Sequence, residues 1–181
     1  MLETILLRST KHGKYNNLKE LNDKATELKN AGDLSELIKL AEESGLEKED
    51  AEDYMDSDEP EDSLCNATMA AIAKLKLEEQ DLHLESQLKD WKDFIVQMLT
   101  DYPVDHDGED RDTLANAVFN PDKKLLDVLA AGLKLSSENR IEVDKRIIQA
   151  ARLPESAAFI GMCGRDDLKK IILDYYLGKQ V

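Results

Sequence analysis

The chain has 181 residues, of which 41% are hydrophobic, enough for one core or for two small lobes that share one. Aromatics reach only 5%, so packing falls to Leu, Ile, Ala and Met, and eight Gly with four Pro are too few for the many turns of a β-sandwich. The net charge of −15 repels free nucleic acid and anionic membrane surfaces and favours basic partners.

Residues 2–8 (LETILLR) are apolar and partly β-branched, and read as a short strand or a docked arm. The loop KHGKYNN follows. Leu18, Leu21, Ala25 and Leu28 carry helical spacing, closed by Gly32. Asp33 opens the next helix, with Glu36 placed to complete a capping box, and Gly45 ends it. Residues 47–56 read as a helix with Ala51, Tyr54 and Met55 inward, and DSDEPED as a loop. Pro60 suits the first turn of a helix running from about residue 61 to 80.

A further helix is expected over 84–101, with Leu84, Leu88, Trp91, Ile95, Met98 and Leu99 on one stripe; Trp91 reads as a core anchor. The polar stretch TDYPVDHDGEDRD breaks it. Helices resume over 112–118, 122–136, 144–151 and 166–177, the second opened by Asn120 or Asp122 and the last stopped by Gly178. The expected fold is all-α, a compact multi-helix bundle with at most one short N-terminal strand.

The charge is uneven along this series. Residues 1–110 hold 29 Asp/Glu against 12 Lys/Arg, a net of −17, and residues 111–181 hold 10 against 12, a net of +2. An acidic lobe, 1–110, and a near-neutral lobe, 111–181, are expected, or one continuous domain with that asymmetry. Cys65 and Cys163 form neither a disulfide framework nor a CxxC metal site and read as thiols in a reducing cytosol. The apolar start has no basic n-region and no stretch nears the ~20 apolar residues of a membrane span, so the expected location is cytoplasmic.

Several constellations carry possible chemistry or binding. The loop with Asp105, His106, Asp107 and Glu109 alternates acids around Gly108, yet Gly108 as sixth position puts Pro103 first and Leu114 twelfth, so it is not an EF-hand. It reads as a solvated loop, as a looser Mg²⁺ or Mn²⁺ site able to activate water, or as a metal-free site with His106 as general base. His12 beside Lys14 forms a basic island that reads as an exposed loop or as an acid/base pair for RNA cleavage. The acidic run Glu49, Asp50, Glu52, Asp53, Asp56, Asp58, Glu59, Glu61 and Asp62 is a solubilising surface or a mimic of nucleic-acid charge. Lys145, Arg146, Arg152, Arg165, Lys169 and Lys170 are candidates for an RNA-contacting patch, and Ile160–Asp167 reads as a glycine-containing turn into a helix. Walker, GxSxG, HExxH and CxxC sequences are absent.

Residues 40–56 (LAEESGLEKEDAEDYMD), 69–76 (MAAIAKLK), 141–151 (IEVDKRIIQAA) and 169–178 (KKIILDYYLG) together resemble small proteins of phages and mobile elements of Gram-positive bacteria, among them type II-A anti-CRISPR proteins. The resemblance spans most of the chain and contains no catalytic signature. It implies the RNA-guided nuclease Cas9 or its guide-RNA complex as partner, inhibited by steric binding or by truncation of the guide. An accessory protein that binds another basic protein is the alternative.

Overall fold

The structure is a computed structural model that describes residues 15–101, 109–154 and 159–178, the side chains of 109–111 excepted. The strand or arm expected at residues 2–8 lies outside these. Among the described residues the chain forms nine helices and one two-stranded ribbon, the mainly helical fold expected. It divides into two compact units, residues 1–125 and 126–181. The boundary in charge at 110/111 and the boundary in packing at 125/126 therefore fall at different places.

The first unit begins with α1 (Leu18–Asn30), whose cap residue Asn17 accepts the Glu20 N–H at 3.0 Å. Leu21 and Ala25 are buried at helical spacing. In α2 (Leu34–Glu43) the Asp33 carboxylate accepts the Glu36 N–H at 3.1 Å, as expected. The reciprocal half of the box is not made: Asp33 N–H donates instead to Leu28 C=O at 3.0 Å, and Glu36 pairs with Lys39. The turn into α3 (Lys48–Asp56) passes through Gly45 at φ +84. A Cβ there would lie 2.6 Å from Ala73 O and 2.8 Å from Leu77, so the turn requires glycine both for its backbone and for its close seat.

That seat is on α4 (Ala67–Leu82). The helix starts six residues later than Pro60 suggested, because the Asn66 side chain accepts the Met69 N–H at 2.9 Å and residues 57–66 form a loop. Ala70 and Ala73 join Leu21, Ala25, Leu37, Ala41 and Tyr54 in one core. The helix also packs on α5 (Ser86–Asp101) and α6 (Glu109–Phe119). In α5, Trp91, Ile95, Met98 and Leu99 are buried as the stripe predicts and Leu88 is half-buried; Leu84, also half-buried, lies just before the helix, which starts two residues later than expected.

One turn of α4 carries two buried charges. The Lys74 ammonium donates to Val118 C=O at 2.7 Å, to Asn120 C=O at 2.8 Å and to Lys123 C=O. One of these, the Val118 carbonyl, lies in the last turn of α6, and the other two lie in the turn that follows it. Glu78, four residues on, accepts the Leu125 N–H at 3.0 Å, and its other oxygen lies 3.8 Å from the ammonium. This pair corrects the expected start at 122: residues 120–124 remain a turn around Lys74, and α7 (Leu125–Glu138) begins where Glu78 caps it.

In the second unit α7 leads to β1 (Arg140–Glu142), α8 (Lys145–Ala150), β2 (Phe159–Gly161) and α9 (Arg165–Leu177). The strands pair antiparallel with Ile141 opposite Ile160, a ribbon that the sequence pattern did not suggest. Ile160–Gly161, expected in a turn, lies in β2. A Cβ on Gly161 would stand 2.0 Å from Ser136 O, so only glycine lets the strand approach the end of α7. Leu168, Ile172, Leu173 and Tyr176 form the buried stripe of α9, and Tyr175 donates to the Asp127 carboxylate at 2.6 Å.

Leu75 is fully buried in α4. Leu75→Ala should cost about 2–5 kcal/mol, read from the urea midpoint at unchanged slope. Glu79 accepts from Lys92 at 2.7 Å with Lys89 at 3.4 Å, and these bonds hold its carboxyl below the usual 4.5. The stabilisation is complete above 4.5 and is lost as pH falls through the lower folded value. The thermal midpoint should therefore drop below about pH 4.5, less steeply in Glu79→Gln.

Candidate acidic binding surface

Helix α3 has nine residues, five of them acidic and one lysine. Ala51 and Tyr54 are buried, which fixes the opposite face outward. Glu49, Asp53 and Asp56 recur there at i, i+4 and i+7 and are exposed. At 1.5 Å per residue the helix is about 13.5 Å long, so its net −4 amounts to one charge per about 3.4 Å. That equals the charge spacing along one strand of DNA, about 3.4 Å.

The nine acids of the sequence run separate into two groups. Asp50 accepts the Glu47 N–H at 2.8 Å and caps the helix; Glu52 pairs with Lys48 at 2.7 Å. Asp62 bonds Ser57 and the Ser63 N–H, and these bonds hold its carboxyl low. The remaining six, Glu49, Asp53, Asp56, Asp58, Glu59 and Glu61, are exposed and make no ion pair among the described residues. Sequence reasoning gathered all nine; only the structure separates the internally engaged from the outward-facing.

The surface is tied to α1 at several points. Lys29 donates to Ser57 C=O at 2.6 Å, at the C-terminal end of α3, and its ammonium stands 4.3 Å over the Tyr54 ring. The Tyr54 and Thr26 hydroxyls share a 2.9 Å bond. Ser57 Oγ accepts the Glu59 N–H at 3.3 Å. At the far end of the loop, Asn22 brackets Cys65, donating to its C=O at 2.9 Å and accepting its N–H at 3.3 Å. Cys65 is buried, and burial, with Asp50 adding to it, pushes its thiol up to about 12. Lys29 and Asn22 gave no signal in the sequence, because each reads as an ordinary polar residue of a helix.

The basic candidates lie in the second unit and are all exposed. Lys145 and Arg146 open α8, where Arg146 binds Asp144 through two nitrogens at 3.0 and 2.7 Å. Arg152 follows α8 at φ +55. Arg165 and Lys169 share a face of α9 four residues apart, with Lys170 beside them. His12, Lys14, Asp105, His106 and Asp107 lie outside the described residues. Glu109 is the first residue of α6, its side chain likewise outside them. Among the described residues no three His, Cys, Asp or Glu side chains group to hold a metal ion, and no helix is long and apolar enough to cross a membrane.

No known protein family, curated protein or solved structure matches the chain.

Asn22→Ala removes the side-chain bonds to the Cys65 backbone and the weak one from its thiol. It should cost about 1–3 kcal/mol in denaturant titration and speed amide exchange at Leu64–Asn66 while α5 is unaffected.

Proposed function

We propose that the protein is a binding inhibitor that presents α3 and the following loop to a basic groove built to hold nucleic acid. The partner is Cas9 or its guide-RNA complex, met in the cytoplasm of a bacterial host. The observation that carries this reading is the outward stripe Glu49, Asp53 and Asp56, continued by Asp58, Glu59 and Glu61, on a helix whose net charge as a whole amounts to one per about 3.4 Å, close to that of a nucleic-acid strand. A channel that grips a heteroduplex through its backbone is lined with cations, and an anionic ridge that fills it excludes the strand. Long-range attraction speeds the encounter at low salt. The ties from Lys29 and Asn22 hold the ridge in shape before binding, which lowers the ordering cost on association. The cations of the second unit, Lys145, Arg152, Arg165, Lys169 and Lys170, tolerate adjacent guide RNA better than the first unit does.

The test measures equilibrium binding to guide-loaded Cas9 between about 50 and 200 mM salt. Wild type should bind and weaken as salt rises. The triple variant E49Q/D53N/D56N should bind at least about tenfold more weakly at low salt, with a flatter salt dependence. No binding, or binding indifferent to these substitutions, overturns the reading. The guide is run on a denaturing gel after incubation with Mg²⁺: an intact guide with blocked DNA cleavage supports steric inhibition. A shortened guide replaces it with RNA cleavage.

A further inference from the structure

Asn120–Leu125 is the last stretch of the first unit, and two buried charges hold it. We propose that Lys74 and Glu78 form a latch which opens locally, releasing this stretch while α4 and the core around it stay folded.

Three observations favour opening here over opening of the core around α4. The latch is imperfectly satisfied: Glu78 is 7% exposed, and its Oε1 makes no hydrogen bond and lies 3.8 Å from Lys74. Burial pulls the Lys74 ammonium down to about 8; Glu78 offsets part of this, and Lys124 adds to it. Opening hydrates both charges and recovers their desolvation cost, which a shift of the apolar core would not do. The stretch also has little apolar anchorage. Asn120, Pro121, Asp122, Lys123 and Lys124 are half-buried or exposed, and Leu125 alone is fully buried.

Opening frees the six residues Asn120–Leu125 from the Lys74 ammonium and the Glu78 cap, a stretch whose fully extended contour is about 20 Å.

Native-state hydrogen exchange on the full chain tests this. The Leu125 amide, bonded to Glu78, should exchange at least about a hundredfold faster than the buried α4 amides near Leu75, with a rate insensitive to low urea. Lys74→Met should raise Leu125 exchange a further tenfold or more. It should also create a tryptic cut after Lys123 or Lys124 while Trp91 fluorescence stays native. Exchange of Leu125 and the α4 amides at one rate with one urea dependence overturns the proposal, as does cleavage of the variant spread across all its lysines. If Lys74→Met does not fold, the wild-type exchange decides alone.

Discussion

An ammonium group enclosed by a protein must find acceptors, and the Lys74 ammonium finds three backbone carbonyls. One belongs to the last turn of α6 and two to the segment that leaves it, so the side chain that needs partners also serves a helix end that needs one. Glu78 does the converse one turn later for the first N–H of α7. This arrangement requires α4 to be enclosed on most of its circumference. Its alanines, Ala67, Ala70, Ala71 and Ala73, let neighbouring backbones come close enough, and Gly45 shows how close, resting against Ala73 O.

What the sequence discloses follows from how local each signal is. Helices α1, α2, α3 and α5 are legible because one face is wet and one dry, so apolar residues recur at helical spacing. The existence of α4 is also legible, but its beginning is not: Pro60 offers a plausible first turn, whereas the helix is capped by Asn66, and the preceding Cys65 is held by Asn22, more than forty residues away. Lys74 and Glu78 look like any solvated i, i+4 pair, and nothing local tells them apart from Lys48 and Glu52. The β1–β2 ribbon escapes for a different reason. Three-residue strands are too short to show a period of two, and their pairing spans α8.

The acidic surface was visible as composition and became specific only as geometry. A run of nine carboxylates predicts repulsion within the run, which would loosen it. The structure answers by engaging three of them internally and by placing Lys29 where the dipole of α3 and the Tyr54 ring both favour a cation. The six that remain outward are a smaller and more ordered charge than the count suggests. The residues singled out for chemistry, His12, Lys14 and Asp105–Asp107, fall outside the described residues.

The two cysteines differ sharply in surroundings. Cys65 is sealed under Asn22 with its thiol held far from ionisation, whereas Cys163 is half-buried at the foot of α9, its thiol raised by burial and then by Asp167. For a chemist this amounts to a single handle. Thiol-directed dyes or spin labels applied to the native chain at neutral pH would settle on Cys163, marking the second unit and leaving the acidic face untouched, with no substitution needed to remove a competing site.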